Sequence, residues 1–314
     1  MNPITITSIT MQEAAQAMEV GVAALFKKAR SGQGRLEVAV AELDAYVRRI
    51  QDLHRERLPY GVSYSYVSEP VLSIGNLNRL IANVSYRSSY WWSLRRNGSS
   101  LSNALVGYTQ TIAQRSADIQ SIASKLEMAG GRTERWEVLS REGDLALSAI
   151  DRIHVRRMAA QMSSLRMEIE TFQLQLSAYV ARIEDFREIH RRELQPELEK
   201  VVKALETVEV RECTLRFEPF WTNCRKATFE EEDRVRLKAI FGVRGLSLAD
   251  VHSNIETLHS AWQAIGTYAE SADRHLKTVS RQRELARFMV YFKIFLGQWK
   301  QVAGQAEQMR EAFA

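Results

Sequence analysis

The chain has 314 residues, 45% of them hydrophobic and 26% charged, with a formal net charge of +5. That apolar content is enough to offset chain entropy and excludes an intrinsically disordered chain, while two cysteines cannot staple a disulfide-rich secreted scaffold. Five prolines and 15 glycines are few for such a length, which favours long helices.

Met1 to Thr10 is polar and uncharged, with neither a basic n-region nor an apolar h-region, so no Sec-type signal peptide is expected. No window approaches the ~20 apolar residues of a spanning helix. The first helical stripe is Met11, Ala15, Met18, Val22 and Leu25, broken at Ser31-Gly32-Gln33-Gly34. A second follows as Leu36, Val40, Leu43, Val47 and Ile50. From Leu58 to Gln114 the composition changes: the only charged residues are Glu69, Arg79, Arg87, Arg95 and Arg96, and six of the ten tyrosines fall there with Trp91 and Trp92. A third stripe, Leu101 through Leu126, ends at Gly130-Gly131.

The strongest periodicity comes next. Val155, Met158, Met162, Leu165, Ile169, Phe172, Leu176, Tyr179, Ile183 and Phe186 alternate three and four apart without a miss. The phase shifts near Pro196 and resumes at Leu198, Val201, Leu205 and Val208, which predicts a kink, not a stop. A helix from Val155 to Val208 would run about 80 Å. Val251 through Val279 keeps the same rhythm, breaks at Arg281 to Glu284, and resumes from Phe288 to Phe313, for a second helix of about 90 Å. Two such helices should fold back as an antiparallel hairpin. The predicted fold is all-α: an elongated helical bundle with a long antiparallel coiled-coil stalk and a small tip, or head. The domain boundaries read as 1–149 for the bundle (tail), 150–208 and 251–314 for the stalk helices, and 209–250 for the tip.

The tip region holds both cysteines, Cys213 and Cys224, and the apolar residues Leu215, Phe217, Phe220, Trp221, Phe229, Ile240 and Phe241. Arg216, Arg225 and Lys226 stand among them. Aromatic rings beside cations suit a membrane interface, with rings at headgroup depth and cations at lipid phosphates. The alternative is a small core capping the hairpin. The cysteines could bridge in an oxidising medium or stay reduced.

Little in the chain calls for catalysis. No Gly-rich phosphate loop, G-x-S-x-G or Walker-type lysine is present. Of the six histidines, His54, His154, His190, His252, His259 and His275, only His252 and His259 share a helix face closely. They stand seven apart, where zinc ligands on one helix sit three or four apart. No enzyme, metal or cofactor is expected. Interleaved charges such as Arg182-Ile183-Glu184-Asp185-Phe186-Arg187-Glu188 form a solvated face and not a nucleic-acid footprint.

This layout resembles the α-helical pore-forming toxins, in particular the alpha-xenorhabdolysin family of binary toxins and its smaller B component. The closing run Trp299, Val302, Ala306, Met309 and Phe313 is similar to how such chains end. The resemblance implies a soluble protein secreted without a Sec-type signal. It further implies a partner, a second long-helical A component, and a hetero-oligomeric ring on target-cell membrane lipid. The alternative is a non-enzymatic coiled-coil scaffold or adaptor.

Overall fold

A computed structural model describes residues 10–30, 36–56, 70–130, 135–142, 145–207, 210–215, 222–227, 238 and 246–314. Those residues form an all-α helical bundle with one two-stranded ladder. The helices are α1 (Met11–Arg30), α2 (Leu36–Glu56), α3 (Ile74–Ser88), α4 (Tyr90–Ala123), α5 (Trp136–Leu139), α6 (Ala149–Ile189), α7 (Gln195–Thr207), α8 (Leu246–Thr278) and α9 (Gln282–Phe313). The strands β1 (Val210–Leu215) and β2 (Thr222–Ala227) lie between α7 and α8.

The chain folds into two compact units, 1–35, 97–180 and 253–314 in one, 36–96 and 181–252 in the other. This division differs from the boundaries expected above, because α4, α6 and α8 each contribute to both units. Periodicity marks a helix face but not the partners that cover each part of it.

The first unit packs α6 against α8. The indole Nε1 of Trp262 donates to the Ile169 carbonyl at 2.9 Å, and Ser163 donates to Asp273 at 2.6 Å. Rising numbers on one helix meet falling numbers on the other, so the two run antiparallel. All ten residues of the stripe from Val155 to Phe186 are buried. α4 also runs antiparallel to α6, with the Tyr108 and Phe172 rings 5.4 Å apart and Arg115 donating to Gln161 at 3.1 Å. α1 opens with Thr10 capping it: the Glu13 amide donates to the threonine hydroxyl oxygen, while the Thr10 amide donates back to the Glu13 carboxylate at 2.9 Å. That backbone bond holds the Glu13 carboxyl below its usual pKa. α1 comes close to α8 at Gly21, where a Cβ would stand 3.3 Å from that of Ala264.

The expected 251–314 stalk helix is two helices. α8 ends at Thr278, Arg281 is extended (φ −122°, ψ 149°), and α9 returns antiparallel to α8. Ring pairs fix that reversal: Trp262 to Trp299 at 5.4 Å and Tyr268 to Phe295 at 5.2 Å. Phe292 stacks on Phe295 and Phe295 on Trp299 along α9, and such contacts add about 0.5–1.5 kcal/mol each beyond area burial. Neither glycine nor proline marks the turn. Backbone bonds from Leu147 to the Ser280 carbonyl (3.0 Å) and from Gln282 to the Leu145 carbonyl (2.9 Å) hold it, and the Glu284 carboxylate accepts from the Ser280 and Arg281 amides. A 3-4 stripe looks the same on a continued helix and on a reversed one.

In the second unit α6 runs on through a π-helical turn, His190–Leu194, into α7. The Gln195 amide donates to the His190 carbonyl, five residues back. Pro196 has no amide to offer and its ring would crowd the carbonyl four residues earlier; the wider π turn accommodates both. The extra residue also explains the phase shift, since His190 and Leu194 are buried between Phe186 and Leu198. Buried Asp44 of α2 accepts from the Trp91 indole and from Arg95, both at 2.7 Å, tying α2 to the start of α4.

Candidate membrane-interaction site

The residues between α7 and α8 open with an antiparallel ladder of register Val210↔Ala227, Cys213↔Cys224 and Leu215↔Thr222. The strands fall in the 209–250 tip, outside the stripes of helical spacing, and Val210, Thr214 and Thr222 suit extended backbone. Of the seven apolar residues singled out for this region, Leu215 ends β1, opposite Thr222. Phe217, Phe220, Trp221, Phe229, Ile240 and Phe241 lie outside the described residues. Arg225 and Lys226 belong to β2, opposite Glu212 and Arg211.

The helices that lead into this region are tied by polar contacts. In the second unit His252 of α8 contacts the Glu184 carboxylate of α6 at 2.8 Å, and Arg187 reaches its Nδ1 at 3.4 Å. An arginine can only donate, so Nδ1 accepts, and Nε2 carries the proton toward Glu184. His190 is buried with the Tyr46 ring edge-on at 6.3 Å, and loss of solvent pushes its pKa down. Burial likewise raises Tyr46 to about 12. Arg87 of α3 pairs with Glu193 in the π turn.

In the first unit Asp273 is 4% exposed and accepts from Ser163 while pairing with Arg166 at 3.1 Å and Lys277 at 2.9 Å. Two cations and a hydroxyl surround one buried carboxylate and link α6 to α8. Ser177 and His259 are also 2.8 Å apart. The serine hydroxyl donates to the Gln173 carbonyl at 2.8 Å, so its proton points away from the imidazole. This is a helix-to-helix contact, not a nucleophile poised on its base. Burial lowers the His259 pKa against an opposing pull from Glu256.

Among the described residues no helix is long and apolar enough to cross a membrane, and no group of three or more His, Cys, Asp or Glu could hold a metal ion. His190, Asp273 and Ser163 were not singled out from the sequence. His190 could have been found as the residue continuing the 3-4 stripe past Phe186, but an aspartate on a helix face carries no such signal.

No family model matches the chain, and no curated protein matches it. Among solved structures it is similar to XaxA from Xenorhabdus nematophila, at 12% identity and a TM-score of 0.37 over 88% of this chain and 96% of that one.

Proposed function

We propose that this chain is a non-enzymatic component of a multi-subunit α-helical pore-forming cytolysin, soluble before it meets the target membrane. It takes the place of a B component, joining a second long-helical subunit and target-cell lipid in a hetero-oligomeric ring. One observation carries the reading: antiparallel α6 and α8 are linked, through α7, by a stretch whose sequence gathers Phe217, Phe220 and Trp221 beside Arg216, Arg225 and Lys226. Rings with flanking cations partition to the headgroup layer. An amphipathic helix alone is a poor span, but in a ring its polar face lines a lumen while its apolar face meets lipid.

Dye release from liposomes tests this, with and without a second long-helical chain encoded beside this one. Replacing Phe217, Phe220 and Trp221 by serine should abolish release and leave the melting temperature unchanged. Removed apolar area weakens insertion by roughly 25 cal/mol per Å². A variant retaining only Trp221 should shift its emission to the blue on lipid addition. Absence of lipid binding and leakage under every pairing would overturn the proposal in favour of a scaffold. So would serine variants that lose stability while release is unaltered.

A further inference from the structure

The chain has two cysteines, and the ladder between α7 and α8 sets them opposite each other: Cys213 of β1 is the direct partner of Cys224 of β2. Directly opposed residues of an antiparallel pair have Cα atoms about 4.5 or 5.5 Å apart, depending on whether the pair is hydrogen-bonded, and share one side of the ladder. Both spacings fall within the roughly 4.4–6.8 Å that a disulfide spans. The backbone register therefore meets the geometric requirement for a bridge.

The rest of the ladder shows what a covalent tie adds. Alternation puts Arg211, Cys213 and Leu215 on one face with Thr222, Cys224 and Lys226. Arg211 and Lys226 are thus directly opposed cations, two residues from the cysteine pair. Like charges so placed weaken a cross-strand pair, and a two-stranded hairpin by itself is marginal in water. The same cations favour the thiolate, the form that exchanges. We propose that Cys213 and Cys224 form an intramolecular disulfide that staples β1 to β2, with a small-molecule disulfide, oxidised glutathione, as a sufficient oxidant. One cysteine thiolate attacks a glutathione sulfur and expels the first glutathione thiolate. The second cysteine attacks the protein sulfur of that mixed disulfide and expels the other. Two protein thiols become one disulfide, the oxidant is reduced to two glutathione thiols, and the two protons released pass to them. The bridge joins the ends of Thr214–Asn223, ten residues that include Phe217, Phe220 and Trp221. The inference needs neither lipid nor a partner chain, so it stands or falls apart from the cytolytic reading.

In the experiment the full chain is equilibrated with millimolar oxidised glutathione, remaining thiols are alkylated, and trypsin is added without reduction. Cleavage after Arg211, Arg216 and Arg225 leaves one cysteine in each of two peptides, 212–216 and 217–225. They should appear as one linked species that separates on reduction, from a chain that runs as a monomer on a non-reducing gel. Cys213→Ser and Cys224→Ser should each stop at the mixed disulfide and carry one glutathione. In urea, at the same glutathione poise, the ratio of linked to reduced chain should fall at least tenfold, because the tie follows the ladder and not chance closure of a short loop. Asn223→Cys combined with Cys224→Thr moves one cysteine to the other face and should weaken linkage by a similar factor. Wild-type peptides that are both alkylated, glutathione retained at both cysteines, or bridges only between chains would overturn the proposal. So would linkage indifferent to urea, or a shifted variant that links as readily as the wild type.

Discussion

Two glycines of α4 should respond oppositely to the same substitution. A Cβ at Gly98 would stand 2.5 Å from the Tyr179 hydroxyl oxygen and 2.6 Å from Cε1 of Phe313. Both neighbours are buried, so neither ring has free space to retreat into. Inserting one methyl into a filled core costs about 1–3 kcal/mol, offset by up to ~1 kcal/mol of helix propensity on going from glycine to alanine. With the full offset, the net for Gly98→Ala is a loss of up to about 2 kcal/mol. At Gly107 nothing lies within 4 Å of the added carbon, so only the propensity gain of up to ~1 kcal/mol remains. Thermal melts followed by circular dichroism should show Gly98→Ala falling by several degrees and Gly107→Ala rising by a few. Phe313→Ala vacates the space the new methyl needs, so combined with Gly98→Ala it should cost less than the two changes summed. Equal shifts at the two glycines, or strict additivity with Phe313→Ala, would refute the packing of the α9 terminus against α4 and α6.

Asp273→Asn keeps an acceptor for Ser163 but removes the charge that faces Arg166 and Lys277, so it should destabilise by roughly 1–2 kcal/mol in urea unfolding. An unchanged midpoint would show that the carboxylate is hydrated and not shared. Burial lowers the His190 pKa from the ordinary 6.5. Between that value and the lower folded one the unfolded chain binds more protons, so stability present above about pH 6.5 is lost as pH falls through this window. His190→Gln should flatten that slope in melts across the acid range, leaving the share due to His259, whose pKa is lowered too.

The sequence by itself determined the buried faces of the long helices. Each residue of the Val155–Phe186 stripe and of the Phe288–Phe313 stripe is buried, because an apolar row at helical spacing has no other way to leave water. It also located the break near Arg281 and the phase slip at Pro196. Direction was decided only by tertiary structure. Whether the chain after Thr278 continues or returns depends on backbone bonds to Leu145 and Leu147, more than 130 residues earlier in the chain. The π turn that absorbs the proline, the Cys213↔Cys224 register and the Asp273 cluster likewise depend on partners distant in sequence or on local hydrogen-bond geometry. Periodicity records how strongly a face avoids water, and that avoidance has no direction; hydrogen bonds and charge pairs do, and they supplied the rest.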